Sequence, residues 1–370
     1  EVNFYDDGEL LNGKVRVVNE FTSNDLNDYE ITWALVKNDT VLKNGVLELD
    51  LAAGESTTAT LDFGTFDQVR EGDDYFVEFS VKTTKDELWA EAGHEIASEQ
   101  LVIKPEVTEK APMFDTAAIS AFTSVEETDT TITVSGEKGF KVVINKETGY
   151  ITNYEYDGNT LMTEGPAPNY YRAPIDDDRV GNVGVDSNLL NTSENYDVTS
   201  VDVAKSLKMI KVTVNGNITT ATPSQNTITY TIFPNGQIMV DNVVDLNSSK
   251  APTRVGMKIS VPTEFENLTY YGRGPWENYC DRNTGSYIGV YETNVDEIES
   301  LNKYLKPQEN GNHTDVRFAA VKNADGVGFM VVADDVMETS LSKYEDEDMA
   351  NYRHICEVPE AEGYFVFNVD

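Results

Sequence analysis

The sequence is poor in the residue types on which most redox, zinc and nucleic-acid sites depend. Its 370 residues include two cysteines and three histidines, too few for a disulfide framework or a cysteine-rich metal site. The histidines stand far apart, at positions 94, 313 and 354. Basic residues are scarce as well: 28 Lys and Arg face 65 Asp and Glu, a formal net charge of −37. A field of that sign repels nucleic acid and anionic membrane surfaces, so we expect neither as a partner.

Long apolar runs and the common nucleotide or hydrolase motifs are also missing. No stretch approaches the roughly 18 apolar residues of a membrane-spanning helix, and no Gly-x-Ser-x-Gly, Walker or dinucleotide-binding motif occurs. We expect Cys280 and Cys356 to be free thiols in the core rather than a bridge. The chain opens at Glu1 without an initiator methionine or a signal-type apolar region, which predicts that it is a piece of a longer polypeptide.

Strand signals dominate instead, and they predict an all-β protein. Between residues 1 and 104, six or seven short segments alternate apolar with other residues at period two, the pattern of strands with one face on a core. Their number and spacing are typical of an immunoglobulin-like sandwich. The clearest segments are residues 15–18, 31–35, 47–51, 58–63 and 75–81.

A second domain is predicted beyond a linker. Residues 105–112 are polar, contain two prolines and lack periodicity, so they are the predicted linker. Residues 113–370 are predicted to form one large all-β domain of many strands, with hairpin turns at Asn235-Gly236 and Asp325-Gly326. Helical periodicity is nearly absent, and only residues 346–352 suggest one or two helical turns.

The densest group of chemically functional side chains lies in residues 270–282, YYGRGPWENYCDR. Strand propensity stops at its Gly-Arg-Gly-Pro turn, and aromatic, carboxylate, amide and guanidinium groups follow. Such sets bind sugars, because an aromatic ring stacks on the C–H face while carboxylates and amides bond the hydroxyls. The alternative is a structural loop whose Arg–carboxylate pairs hold two sheets or an interdomain face together, and the residues alone leave both open.

Residues 172–179, RAPIDDDR, place three carboxylates in a row between two arginines. Three adjacent acids suggest Ca²⁺, which prefers several oxygen ligands. The run lacks the alternating spacing of a calcium loop, however, and we therefore expect a solvated or Arg-paired turn.

Residues 306–317, KPQENGNHTDVR, combine a turn with amides and acids suited to hydroxyl recognition. A structural loop and a binding loop are equally compatible with this composition. Carboxylate pairs of the kind that hydrolyse glycosides cannot be picked out by counting among 65 acids.

Five segments together resemble the C-terminal part of the bacterial β-galactosidases of glycoside hydrolase family 2, in that family's order. The run 271–282 resembles the family's Gly-x-Gly-Pro-x-Glu-Asn-Tyr-x-Asp-Arg, and 171–178 resembles its Arg-Ala-Pro-x-Asp-Asn-Asp. Residues 89–95, WAEAGHE, are similar to its Trp-x-Glu-Ala-Gly-His. Segments 307–311 and 139–151 complete the set, which covers nearly the whole chain.

The resemblance implies the last two domains of a five-domain enzyme: an immunoglobulin-like domain, then a large supersandwich related to galactose mutarotase, the small-chain region. In that family the two catalytic glutamates and the ligands of Mg²⁺ and Na⁺ belong in or near a central (β/α)₈ barrel. We therefore carry no catalytic or metal-binding residue over to this sequence and expect no cofactor in this chain. The matched motif residues are expected to be mainly structural: Arg172, Asp176, Asp178, Asp281, Arg282 and His94.

The resulting hypothesis is a non-catalytic C-terminal part of a retaining β-galactosidase, an enzyme that hydrolyses terminal β-galactosides such as lactose when whole. This part is expected to help form the active-site wall and to contribute oligomer contacts and sugar binding. A free-standing carbohydrate-binding module is the alternative, and a mutarotase or lyase acting by itself is a third. The candidate sugar-binding residues are Trp276, Glu277, Asn278, Arg273, Glu309 and Asn310.

The expected partners are the remaining domains of a β-galactosidase, galactosides bound weakly and, in a homo-oligomer, a second copy of the chain. A bacterial cytoplasm is the expected location, with secretion or periplasmic export left open. The supersandwich is expected to be cut short at its C-terminal end, because the family continues past the position of Asp370. Residues 364–369 are then predicted to form an apolar strand at an open sheet edge.

Overall fold

The computed structural model describes residues 1–110, 119–180, 189–219, 223–248, 250–301 and 304–370. Strands dominate the described residues and the helices are short, so the predicted all-β fold class is confirmed. The chain divides into two compact units, Glu1–Phe114 and Asp115–Asp370. We call them the first unit and the second unit.

The first unit is an immunoglobulin-like sandwich of two antiparallel sheets. Its strands are β1 (Val2–Tyr5), β2 (Lys14–Asn19), β3 (Tyr29–Lys37), β4 (Thr40–Val46), β5 (Ser56–Thr60), β6 (Tyr75–Thr83) and β7 (Glu95–Ile103). They pair in the orders β1-β2-β5 and β4-β3-β6-β7. Phe4 of β1 stacks on Phe79 of β6 with ring centroids 4.1 Å apart, so the apolar faces of the two sheets share one core.

The beginning of the predicted linker is bonded to the first unit. The amides of Thr108 and Glu109 both donate to the carbonyl of Val69, over 2.9 and 3.0 Å, and the Glu71 amide donates to the carbonyl of Glu109. Up to residue 110 the segment therefore follows the surface of this sandwich. The last two residues of the predicted linker, 111 and 112, lie outside the described residues.

The second unit contains sixteen named strands among its described residues and three short helices. The strands up to the middle of the unit are β8 (Ser124–Glu127), β9 (Thr131–Ser135), β10 (Lys141–Asn145), β11 (Ile151–Tyr156), β12 (Asn159–Met162), β13 (Glu164–Asn169), β14 (Tyr196–Lys205), β15 (Ile210–Ile218) and β16 (Ser224–Ile232). The later strands are β17 (Ile238–Asp245), β18 (Gly256–Pro262), β19 (Asn267–Gly274), β20 (Tyr287–Asn294), β21 (His313–Lys322), β22 (Gly328–Ser342) and β23 (Tyr364–Val369). The helices are α1 (Asp176–Val180), α2 (Val295–Leu301) and α3 (Asp346–Asn351), the last where helical turns were predicted.

These strands form a long sheet and a smaller one that share a single core. The long sheet runs β20-β19-β21-β22-β23-β18-β13-β11-β10-β9-β8, with β12 paired to β11, and the small sheet runs β14-β15-β16-β17. Val142 and Ile144 of β10 belong to the same buried cluster as Val212 of β15 and Tyr230 of β16. The two-sheet arrangement is the predicted supersandwich.

Both predicted hairpin turns are confirmed. Gly236 has φ +94°, its amide donates to the carbonyl of Phe233 over 3.1 Å, and β16 pairs with β17 around it. Gly326 has φ +78° and joins β21 to β22. Glycine is favoured at both positions because L side chains rarely adopt that backbone region.

The prediction that residues 364–369 form an open edge is wrong. β23 lies inside the long sheet, hydrogen-bonded to β18 on one side and to β22 on the other. The ends of that sheet are β20 and β8. The apolar character of the strand reflects this interior position, and its partners β18 and β22 come from distant parts of the sequence, which local alternation cannot reveal.

The cysteine prediction was half right. Cys280 and Cys356 are free, but both are exposed rather than part of the core. Cys280 lies in the loop after β19, and Cys356 lies in a short 3₁₀ turn, so neither occupies an inward position of a strand. None of the helices in the described ranges is long and apolar enough to cross a membrane.

Candidate functional site

The loop that follows β19 is held closed by Asn278, whose side chain is fully buried. Its Nδ2 donates to the carbonyls of Arg273 and Trp276, each over 2.9 Å. Its Oδ1 accepts from the amide of Thr314 over 3.0 Å and from the Thr314 hydroxyl over 2.7 Å. The backbone of Asn278 exchanges bonds with Asn312. All donors and acceptors of this amide are therefore used internally, which fixes the loop against the start of β21.

Glu277 is the second anchor of this loop. Its carboxylate accepts from Arg282 Nη2 over 2.7 Å, from the Tyr304 hydroxyl and from the amide of Gly311 over 2.7 Å. The Arg282 guanidinium also lies 4.8 Å from the centroid of the Tyr279 ring. These contacts join two of the segments that the sequence singled out, 270–282 and 306–317, into one surface.

Arg273, predicted as a sugar contact, is occupied by protein groups. Its Nε donates to Asp315, and its Nη1 donates to the carbonyls of Asn283 and Ser286 over 3.3 and 2.8 Å. Trp276 differs, because 61% of the residue is exposed. Asn310 is half-buried and donates to the carbonyl of Gln308 over 2.9 Å.

Glu309 belongs to a buried ionic cluster around Arg254 that the sequence did not predict. Arg254 Nη2 donates to Glu309 Oε1 over 2.8 Å, Nη1 donates to Asp346 Oδ2 over 2.6 Å, and Nε contacts Asp370 Oδ2 over 2.7 Å. The Ala173 amide donates to Asp346 Oδ1 over 3.0 Å. One guanidinium thus holds together the segment before β18, the Glu309 loop, the start of α3 and the residue after β23.

Three carboxylates around one arginine cannot all keep ordinary acidities. Burial raises the pKa of Glu309 well above its usual value, against the attraction of Arg254 and with Asp346 as a like charge. Burial acts on Asp346 in the same direction, but Arg254 and hydrogen bonds from Glu309 and Ala173 outweigh it and lower the pKa. Burial also raises the pKa of Asp370 to about 6. A protonated Glu309 that donates to an ionised Asp346 accounts for both directions.

The run of three carboxylates forms the first turn of α1, and two of the three, Asp176 and Asp178, are paired with arginines as expected. Arg172 donates to both oxygens of Asp178, over 2.8 and 3.4 Å, and Asp178 also accepts from the amide of Ile175. Arg179 pairs with Asp176 over 3.3 Å and donates to the carbonyl of Pro307 over 2.7 Å. Over the described residues, no group of three His, Cys, Asp or Glu side chains is arranged to hold a metal ion.

The remaining motif residues lie apart from one another. Asp281 is exposed in the same loop as Asn278. His94 lies in the first unit, edge-on to Trp89 with ring centroids 5.4 Å apart, and its backbone bonds to Thr83 close the β6–β7 connection.

A cavity of about 840 Å³ opens where these loops of the second unit meet. We call it the polar cavity. Its buried wall includes Arg254, Gln308 and Glu309, and its rim includes the exposed residues Asp177 and Asp281. Tyr279, Arg282, Tyr304 and Asp370 also line it. The polar cavity therefore contains Glu309 of the predicted sugar-binding residues, but not Trp276, Asn278 or Arg273.

Several lining residues were missed by sequence reasoning for a definable reason. Arg254 and its three acids are separated by 55 to 116 positions, and an isolated arginine carries no local pattern. Tyr279 and Gln308, by contrast, stand inside the two recognised segments. Their residue types do not set them apart from the other polar residues of those segments. Their buried polar atoms do, and burial is not visible in a single sequence.

The described residues thus form an all-β protein of two units, an immunoglobulin-like sandwich and a larger sandwich whose polar loops are closed by internal ion pairs. The family model described as beta galactosidase small chain matches residues 136–370, and that described as beta-galactosidase, domain 4 matches residues 15–104. The chain belongs to the β-galactosidase small-chain family.

Individual relatives agree with the family assignment. The chain is 29% identical to a beta-galactosidase of Priestia megaterium over 96% of its own length and 34% of the relative's. It is 26% identical to the beta-galactosidase of Halalkalibacterium halodurans, over 96% of its length and 35% of the relative's, and 26% identical to that of Streptococcus thermophilus, over 95% and 33%. The chain thus spans about a third of the length of the curated relatives it matches.

Proposed function

We propose that this chain is the C-terminal, non-catalytic part of a bacterial cytoplasmic β-galactosidase that cleaves terminal β-galactosides such as lactose. One observation carries the proposal: two β-galactosidase family models match in succession along the chain, while the chain spans only about a third of each relative. The acid, the nucleophile and the ligands for Mg²⁺ and Na⁺ then belong to the other two thirds, and this part supplies a wall of the active site and contacts between subunits.

The test compares two polypeptides. The first is this chain, and the second is the product of the complete reading frame that encodes it. We expect the second to hydrolyse o-nitrophenyl-β-galactoside and the first to give no turnover above a heat-inactivated control. Turnover by the purified chain alone would contradict a non-catalytic role, and a complete frame without a barrel domain would favour the free-standing carbohydrate-binding module.

Within this part, we propose Trp276 as the rim contact for sugar. Its exposed indole is free to stack on the C–H face of a sugar ring. The polar atoms of Asn278 and Arg273, by contrast, are hydrogen-bonded to other groups of the protein. Trp276→Ala should raise KM for the galactoside in the complete enzyme with little change in the free energy of unfolding. An unchanged KM would remove Trp276 from the site.

A further inference from the structure

One buried guanidinium in the wall of the polar cavity faces more carboxylates than it can neutralise. Arg254 lies 2.8 Å from Glu309, 2.6 Å from Asp346 and 2.7 Å from Asp370, and the Glu309 and Asp346 side chains are only 3% and 4% exposed. With all three acids ionised, this buried group would carry excess negative charge out of reach of water. Buried carboxylates that share one site do not all ionise together, so the geometry requires that one of them keep a proton.

Glu309 is the carboxyl that keeps it. Burial raises the pKa of Glu309 well above its usual value, against the attraction of Arg254 and with the charge of Asp346 adding to the rise. Burial also acts to raise the pKa of Asp346, but Arg254 and hydrogen bonds from Glu309 and the Ala173 amide lower it. Burial raises the pKa of Asp370 to about 6, so this side chain is ionised at neutral pH. One proton therefore remains on Glu309, which donates it to Asp346.

Other titratable groups on the neighbouring elements do not neutralise this pair. Lys258 of β18 is bonded to Glu345 over 2.8 Å, and Arg172 is paired with Asp178. The Tyr279 hydroxyl stays neutral, because burial raises its pKa. The acids nearby add negative charge: Glu347 at the start of α3, Glu338 of β22 and Glu277 of the loop after β19.

The proton lies where one loop is attached to the rest of the second unit. This loop, residues 306–311, is the Glu309 loop, and Gln308 and Glu309 form part of the buried wall of the polar cavity. Its other attachments include three hydrogen bonds: from Arg179 to the carbonyl of Pro307 over 2.7 Å, from the Glu309 amide to the carbonyl of Ala173 over 3.2 Å, and from the Gly311 amide to Glu277 over 2.7 Å.

We propose that the proton shared by Glu309 and Asp346 is a pH-sensitive lock on the Glu309 loop, which is closed while Glu309 is protonated and opens at alkaline pH with release of that proton to water. In the open loop Glu309 is hydrated, and a hydrated glutamate has a pKa near 4.3. The contribution of the lock to stability is therefore complete below that pH and is lost as the pH rises through the pKa of the closed loop. The proposal does not depend on the reaction of the complete protein.

The test measures amide hydrogen exchange of this chain at pH 6.5, 7.5 and 8.5, relative to the unfolded chain at the same pH. Because opening releases one proton, the protection of the Glu309 and Gly311 amides should fall about tenfold for each pH unit. Asp370 is ionised throughout this range and adds no proton. The Gly326 amide, bonded to the carbonyl of Asn323 in a hairpin, should keep a constant protection.

Two variants assign the proton. Glu309→Gln keeps the size of the side chain and a donor for Asp346 but has no proton to release, so its loop protection should not depend on pH. Glu292→Gln, which removes an exposed acid paired with Lys322, is the matched control and should keep the full dependence. Infrared spectra at pH 7.5 should show the C=O stretch of a protonated carboxyl, which Glu309→Gln loses and Glu292→Gln retains.

The wild-type measurements decide even if Glu309→Gln does not fold. Protection of the Glu309 and Gly311 amides that is the same at all three pH values overturns the proposal, as does the absence of a protonated-carboxyl band at pH 7.5. An equal pH dependence in Glu309→Gln and the wild-type chain also overturns it, because another group would then release the proton.

Discussion

Asn278 and Tyr279 are neighbours in the chain, yet their polar groups have opposite surroundings. The amide of Asn278 satisfies two carbonyls and two groups of Thr314, whereas the Tyr279 hydroxyl has no partner among the described residues. Both belong to a segment whose composition suggested sugar binding. The difference teaches that residue type identifies a polar loop, while the hydrogen-bond partners of each side chain show which of its members hold the loop in place.

The largest expected effect comes from breaking the buried cluster at the cavity floor. Arg254→Met should lower the free energy of unfolding of the second unit by about 3–5 kcal/mol, because it leaves buried carboxylates without their cation. Urea denaturation measures this change in the free energy of unfolding. Arg282→Met, which removes a half-exposed arginine with one carboxylate partner, should cost about 1 kcal/mol or less. Equal losses in the two variants would contradict the assignment of Arg254 as the main ionic anchor.

The next largest effect is expected at Asn278, the residue whose hydrogen bonds hold the loop after β19 closed. Asn278→Ala should destabilise the second unit by about 2–4 kcal/mol, because two carbonyls and the Thr314 amide lose a buried partner. Asn351→Ala, which removes one exposed bond to the carbonyl of Glu347, is the matched control and should change stability by about 0.5 kcal/mol or less. A loss below 1 kcal/mol for Asn278→Ala would show that the loop does not depend on it.

These sites mark the boundary of what the sequence could predict. Period-two alternation and the two Asn-Gly or Asp-Gly turns identified the fold class and the hairpins, since those signals are local. The position of β23 and the Arg254 cluster depend on pairings between distant segments. Cys280 shows the same limit, because a small apolar residue type does not reveal whether its loop faces the core.

The pH dependence of stability tests His313, which packs beside the loop after β19. His313 is buried and stacks on Tyr270 at 4.1 Å, and burial lowers its pKa to about 4. The unfolded chain, with a histidine pKa near 6.5, then takes up a proton first as the pH falls. The contribution of His313 to stability is therefore complete above pH 6.5 and is lost progressively towards pH 4.

When the pH falls from 7 to 5, His313 should lower the free energy of unfolding by about 2 kcal/mol. Asp370, whose pKa is raised to about 6, changes stability in the opposite direction, so the measurement must compare variants. His313→Gln should remove this loss from the difference between the free energies of unfolding at the two pH values. A difference that His313→Gln leaves unchanged would mean that the folded and unfolded chains take up the proton on this ring equally.

The smallest effect is the most discriminating, because it concerns a buried hydroxyl whose removal should cost almost nothing. Tyr279→Phe deletes only the oxygen and keeps the ring under Arg282, and burial without a hydrogen-bond partner already disfavours that oxygen in the folded chain. We therefore expect the free energy of unfolding to change by no more than about 0.5 kcal/mol, with a small gain as the favoured direction. Urea denaturation without added ligand gives the value. A loss above 1 kcal/mol would reveal a structural bond at Tyr279, and the contrast with Asn278 would disappear. A neutral result would show that the hydroxyl contributes nothing to the stability of the loop.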